Sequence, residues 1–130
     1  MFDKLEIFRM AQGLAVHAGT RQAVIARNVA NADTPGYRAQ DIADFNETYR
    51  KAGDQMPLRA TRAGHLSAGD TGLRAARIHE DQVPSEPNGN SVSLEEEMLK
   101  AAETKSKHDQ AIAVYRSSLG ILRTCLGRGR

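Results

Sequence analysis

Four histidines, one cysteine and a run of three glutamates are the residues of this chain whose types could make a metal centre or a nucleophile. Their spacing argues against both. His17, His65, His79 and His108 are scattered, and none has the HxxxH or His-plus-carboxylate spacing that sets two ligands on one helical face. Each is expected to be structural, with His108, a polar residue on an apolar seam, setting register or partner choice. Cys125 sits between Leu122 and Leu126 near the end of a helical pattern, away from the positive dipole that would lower its pKa, so a packed, inert thiol is expected. Ser, His and Asp all occur, but no GxSxG elbow singles out a nucleophile. The stretch AGDTGLRAARIHED has glycines and arginines suited to a phosphate, yet neither GxxxxGK[ST] nor GxGxxG is present, and it reads as a solvated loop. Glu95, Glu96 and Glu97 follow Ser93 directly, which makes them a helix start and not a cation site. No catalytic, cofactor-binding or metal-binding residue is expected, and no enzyme.

With chemistry set aside, composition bounds what the chain can build. Its 130 residues allow one domain, and a hydrophobic fraction of 40% with only 5% aromatic residues implies a thin, alanine-rich core. Mean hydropathy is -0.52, and no apolar run approaches the ~18 residues of an ordinary membrane-spanning helix. Eighteen basic against sixteen acidic residues give a net charge of +2 with the signs interspersed, which does not make a nucleic-acid-binding stripe. One cysteine excludes an intrachain disulfide. The opening MFDKLEIFRMAQGLAVHAGT carries Asp3 and Glu6 and lacks a basic n-region and a continuous apolar h-region. It is therefore not a Sec signal peptide, and export would need another route.

Two long helical patterns frame the chain. From Leu5 to about Ala32, Phe8, Ala11, Ala15, Ala18, Gln22, Ile25 and Val29 recur at steps of three and four, one face of a helix roughly 40 Å long. At the other end Leu94, Met98, Ala101, Lys105, His108, Ile112, Tyr115, Leu119, Leu122 and Leu126 follow the period of a coiled-coil seam over roughly 50 Å. Ser93 and Glu96 fit a capping box, while Gly127 and Gly129 with Arg123, Arg128 and Arg130 mark the stop. The middle breaks into short pieces, with weak alternation at MPLRAT and AARIHEDQV, and VPSEPNGNS is its clearest break. The expected fold is mainly α: long terminal helices pack as a coiled-coil-like pair or tube within an assembly, around an irregular middle with at most short β-strands. Its parts are residues 1–37, 38–91 and 92–130. Seams this long, one built of alanine and the other interrupted by Lys105 and His108, call for partner helices from other chains, and the free helices should be poorly ordered without them.

Between the first helix and the middle lies NVANADTPGYR. Pro35 disfavours helix at Thr34, Gly36 can take a positive φ, and Tyr37 has a ring to pack and a hydroxyl to satisfy. Taken alone this is a helix stop. The segment VIARNVANADTPGYRAQD also resembles the amino-terminal signature of the flagellar axial proteins, the rod, hook and hook-associated family, in which a helix ends in an A-N-x-x-T-P-G-Y turn. Ala30, Asn31, Thr34, Pro35, Gly36 and Tyr37 carry the match, preceded by Asn28. At the carboxyl end Val92, Leu94, Glu96, Glu97 and Met98 resemble the V-x-L-x-E-E-M helix start of a proximal rod member. The sister proximal rod protein FlgC usually has a Ser-Arg-x-Tyr segment further on, where this chain reads ETKSKHDQA. Thr61 to Leu66, TRAGHL, also suits the proximal rod member.

The resemblance implies a non-enzymatic building block of the proximal rod of the flagellar basal body, leaving the cytoplasm by the flagellar type III export apparatus without a cleaved signal. Its implied partners are further copies of itself, the rod proteins FlgC, FlgF and FlgG, and FliE near the MS ring. Phe45 and Tyr49 in FNETY resemble the F-x-x-x-hydrophobic pattern read at the export gate. The competing readings are FlgC itself, a helical cytoplasmic export adaptor or chaperone, and a small hydrolase using His65 or His79, for which no motif exists.

Overall fold

A computed structural model describes residues 2–53 and 77–127. Five elements follow in chain order: α1 (Phe2–Ala30), β1 (Gln40–Ile42), α2 (Phe45–Gly53), β2 (Ile78–Glu80) and α3 (Leu94–Leu126). His65, the Thr61–Leu66 stretch, MPLRAT, the glycines of the AGDTGLRAARIHED loop and the tail beyond Gly127 lie outside the described residues. The expected mainly α fold with long terminal helices holds. At its start, α3 is capped as the sequence predicts: Ser93 is extended, with φ -100° and ψ 116°, and its hydroxyl accepts the Glu96 N–H.

The two long helices pack along each other in opposite directions. Phe8, near the start of α1, meets Tyr115, near the end of α3, edge to face at 5.2 Å. Arg21 and Lys100, much nearer the opposite ends, both reach Asp41. Each contact face repeats every seven residues: Ala11, Ala18 and Ile25, with His17 and Val24, on α1, and Glu97, Thr104 and Ala111 on α3.

This face is rotated from the one the apolar pattern suggests. On α1, Ala11, Ala18 and Ile25 are buried and Phe8 and Ala15 half-buried, but Gln22 and Val29 are exposed. On α3, Ala101, His108, Ile112, Leu119 and Leu122 are half-buried, whereas Leu94, Met98, Lys105 and Leu126 are exposed and Tyr115 touches α1 only through its ring edge. The cause is the polarity of the true contact face. Lys100 lies 3.5 Å from one Glu97 oxygen, while Glu97 Oε2 and the Thr104 hydroxyl are buried on this face without a hydrogen-bond partner, so hydrophobicity alone points to the next stripe. Ala18 and Gln22 of one expected seam and Ala101, Lys105 and His108 of the other border a single open groove of about 520 Å³.

One expectation fails outright. Cys125 is exposed and not packed: the antiparallel register that sets Phe8 against Tyr115 carries position 125 past the first turn of α1. In the described part of the middle, Phe45–Gly53 adds a short helix to the short strands expected there. Its first turn hangs from Asp44, whose carbonyl accepts the N–H groups of Glu47 and Thr48, and Phe45 and Tyr49 stack one turn apart with ring centres at 5.5 Å. The short strands are present as one antiparallel pair, Gln40 opposite Glu80, Asp41 opposite His79 and Ile42 opposite Ile78.

Candidate functional site at the joint of the two helices

The turn that ends α1 is built from backbone outward. Asn31 N–H closes on the Arg27 and Asn28 carbonyls, and the Asn31 amide donates back to Arg27 O at 2.8 Å, tying down the last helical turn. Thr34 O then accepts Tyr37 N–H at 3.3 Å across Pro35 and Gly36. Pro in second place and glycine at φ 73° in third is the residue order a type II turn requires. Ala30 and Pro35 of the sequence motif are exposed; Asn28, Asn31, Thr34, Gly36 and Tyr37 are drawn into one hydrogen-bonded unit.

Asn28 is its inner anchor, with no exposed surface. Its amide donates to Gln40 O at 2.7 Å, and its Oδ1 accepts both Gln40 N–H at 3.1 Å and the Tyr37 hydroxyl at 3.2 Å. One side chain thus turns the chain from helix into β1 and fixes the tyrosine ring.

The other half of the joint comes from 52 to 59 residues further along the chain, in the segment the sequence marks only as a break. Asn90, 2% exposed, places its Nδ2 within 3.0, 2.6 and 2.9 Å of the carbonyl oxygens of Asn31, Ala32 and Thr34. These carbonyls belong to the turn just past the end of α1, where the helix supplies no further donors, and Asn31 O also accepts Thr34 N–H at 3.0 Å. Asn90 Oδ1 accepts Val92 N–H at 2.8 Å, so the same residue closes α1 and leads into α3. Gly36 N–H donates to Asn88 O, Ser91 N–H to Tyr37 O, and Ala39 N–H to the Ser91 hydroxyl. Sequence reasoning missed Asn88, Asn90 and Ser91. Their signal was local, an Asn-Gly-Asn-Ser run just before a helix cap, and it named no partner.

Two glycines make this approach possible. Gly89 also has a positive φ, 79°, and a Cβ there would lie 3.3 Å from Gly36 Cα, whereas a Cβ on Gly36 meets open space. Both alanine substitutions carry the left-handed penalty of roughly 1–2 kcal/mol. Gly89→Ala additionally presses two backbones apart, so it is expected to lower the midpoint of urea unfolding more than Gly36→Ala does.

A cluster of charges clamps the joint beneath. Arg21 grips Asp41 with two bonds of 3.0 and 2.9 Å, and Lys100 lies 2.6 Å from Asp81, 3.5 Å from Glu97 and 3.8 Å from Asp41. Burial resists ionisation of Asp41, but the Arg21 hydrogen bond, the Ile42 N–H and the two cations outweigh it, leaving this carboxyl below its ordinary range. Burial likewise disfavours charged Lys100, yet the bond to Asp81 and the nearby carboxylates raise its pKa. A carboxylate lowered in the fold stabilises it above the unfolded-state pKa and loses that contribution as pH falls through the folded value. A lysine raised in the fold contributes below its unfolded value and loses that contribution as pH rises through the folded one. The clamp therefore holds across neutral pH and opens in acid below the usual aspartate range. Arg21→Gln is expected to cost about 1–3 kcal/mol at neutral pH and to blunt the acid limb of the stability profile, measured by unfolding at stepped pH.

Among the described residues no cluster of histidine, cysteine or carboxylate groups could hold a metal. His17 is buried, its Nε2 2.9 Å from Ala43 O and its ring against Phe45, while His79 is exposed on β2. Among the described residues, the hydrogen bonds of Asn28, Asn90 and Ser91 join the end of α1 to the start of α3. Such a molecule is a structural hairpin, a class defined by the surfaces its helices present.

The comparisons give the family. The family model described as flagella basal body rod protein matches residues 17–38, the second half of α1 and the turn. Flagellar basal body rod protein FlgB of Agrobacterium fabrum is 31% identical over 117 residues, covering 87% of each chain. The FlgB proteins of Cereibacter sphaeroides and Salmonella typhimurium are each 32% identical, over 89% and 92% of both chains. The chain belongs to the FlgB family of flagellar basal body rod proteins, which are structural subunits.

Proposed function

We propose that the chain is a subunit of the proximal rod of the bacterial flagellar basal body, assembling through its terminal helices with further copies of itself and transmitting torque. Its neighbours would be the rod proteins FlgC, FlgF and FlgG, and FliE near the MS ring. The location is the periplasmic stretch of the rod, reached through the flagellar type III export apparatus without a cleaved signal. No helix among the described residues is long and apolar enough to cross a membrane.

The observation that carries this reading is the joint itself. A helix stop needs only Pro35 and Gly36, yet here Asn28, Asn90 and Ser91 weld the stop to the start of α3, as expected where the angle between two load-bearing helices matters. The α1 seam residues Phe8, Ala11, Ala15, Ala18, Ile25 and Val29, and the α3 seam from Leu94 to Leu126, are proposed as the surfaces that assembly covers. The joint would hold the free subunit together while the distant helix ends gain order on packing. Phe45 and Tyr49 remain proposed as an export-gate element; Phe45 is buried in the folded chain, so its recognition would require α2 to be open.

Gly36→Val tests the role of the joint. A β-branched residue resists φ 73°, so the variant is expected to be exported at normal levels but to be missing from isolated basal bodies, with loss of swimming. Normal motility would sink the proposal. A wild-type chain retained in the cytoplasm and absent from basal bodies would favour the adaptor reading.

A further inference from the structure

Of the five asparagines in the chain, Asn88 alone is followed by glycine. The order matters chemically. A backbone nitrogen with no side chain beside it can swing onto the amide carbon of the preceding asparagine, a residue type already counted among the thermally labile ones. Asn88 is exposed, so water reaches its side chain. Asn90 is shielded from the same reaction, being 2% exposed with its Nδ2 against three carbonyls.

The joint primes this pair in one respect and restrains it in three. Asn90 N–H donates to Asn88 Oδ1 at 2.9 Å, which draws electron density from Cγ and sets a donor where negative charge would develop under attack. Against this, Gly89 N–H is held by Glu86 O at 2.8 Å, Asn88 O is held by Gly36 N–H at 3.1 Å, and Gly89 is seated on the Gly36 backbone. The Glu86 bond closes a four-residue turn with Asn88 in third place, where the common turn types hold ψ at about 0°. Gly89 N faces Cγ only after that peptide swings away, and the swing lifts Gly89 off Gly36 and breaks both bonds. The restraints therefore win while the joint is closed.

We propose that Asn88–Gly89 is a self-modification site gated by the joint. Once the joint opens, Gly89 N gives up its proton and attacks Asn88 Cγ. The N–Cγ bond forms, the Cγ–Nδ2 bond breaks, and ammonia leaves with the proton, so the product is a five-membered succinimide with no change of oxidation state. Water then opens the ring. Addition at Cγ yields aspartate, while addition at the former main-chain carbonyl yields isoaspartate, whose chain runs through Cβ and Cγ.

The two products differ in what they do to the joint. Aspartate keeps an acceptor for Asn90 N–H and a backbone carbonyl for Gly36. Isoaspartate inserts a methylene before Gly89, displaces it from Gly36, and turns the acceptor of Gly36 N–H into a free carboxylate. A chain left unjoined thus converts itself into one that cannot close. Its consequence for assembly rests on the role proposed above for the joint, whereas the gated chemistry does not.

The full-length chain, held at mildly alkaline pH with and without urea, supplies the test, with conversion at Asn88 followed by mass and by peptide mapping for isoaspartate. The folded chain is expected to convert at least ~100-fold more slowly than the urea-unfolded one. Ser91→Ala, which removes the acceptor of Ala39 N–H, is expected to speed conversion about fivefold and Asn90→Ala roughly 30-fold, each in proportion to amide exchange at Gly36. Ser91→Ala is the milder of the two and carries the test where Asn90→Ala unfolds. Equal rates with and without urea, or rates that do not follow Gly36 exchange, overturn the gating. After removal of urea, the chain with isoaspartate at position 88 is expected to keep fast exchange at Gly36, whereas Asn88→Asp matches wild type. A protected Gly36 amide in the isoaspartate chain overturns the marking of unjoined chains and leaves the rod reading standing.

Discussion

Asn90→Ala is expected to speed amide exchange at Gly36, Ala39 and Ser91 by roughly 30-fold or more, corresponding to a loss of about 2–4 kcal/mol from the joint. The residue is 2% exposed, and its Nδ2 lies within hydrogen-bond distance of the Asn31, Ala32 and Thr34 carbonyls. Removing it takes the amide donor away from three carbonyls at the negative end of the α1 dipole and also frees Val92 N–H. Asn90→Asp distinguishes this account from simple packing. The aspartate keeps the shape and the acceptor for Val92, but it turns a carboxylate oxygen toward three carbonyl oxygens at 2.6–3.0 Å. It should therefore be worse than alanine at neutral pH and recover in part once acid protonates it into a donor. An aspartate variant as stable as wild type would refute the assignment of Nδ2 as the cap.

Asn28→Ala is expected to be nearly as costly, again about 2–4 kcal/mol, because it takes the partner of both the N–H and the carbonyl of Gln40 from a fully buried position. Tyr37→Phe deletes a single 3.2 Å bond to the same Oδ1 and should cost about 1 kcal/mol. The double variant is the informative one. With Asn28 gone the tyrosine hydroxyl has no partner there, so Tyr37→Phe should add almost nothing, giving a coupling energy of about 1 kcal/mol in the cycle. Additive costs would mean that the hydroxyl acts elsewhere. Measured as urea unfolding of the full chain, the cycle tests whether the tyrosine of the turn is held by the helix it follows.

The family motif and the joint differ in how much each disclosed beforehand. Pro35, Gly36 and the polar residues around them were legible because a turn is local: proline fixes φ, glycine permits the left-handed region, and both act on the residues beside them. The two long helices were legible for the same reason, since apolar residues at steps of three and four, a serine cap and terminal glycines all operate within a few residues. The helix Phe45–Gly53 escaped notice because it has only nine residues, too few to repeat a pattern, and a Phe-Tyr pair one turn apart is equally compatible with a short motif in a loop.

By itself the sequence determined that the chain has two long helices, to within a few residues where each begins and ends, and that a proline-glycine turn closes the first. Only the tertiary structure decided which stripe of each helix faces the other and what holds the turn. It chose a face containing Glu97 and Thr104 over the more apolar one: Lys100 stabilises one Glu97 oxygen, but Glu97 Oε2 and the Thr104 hydroxyl stay buried without a partner, a cost that the packing of the two helices has to offset. It brought Asn90 onto a helix end 56 to 59 residues away, since hydrogen-bond acceptors left at a terminus attract any donor the fold can deliver, and nothing in local spacing names which one.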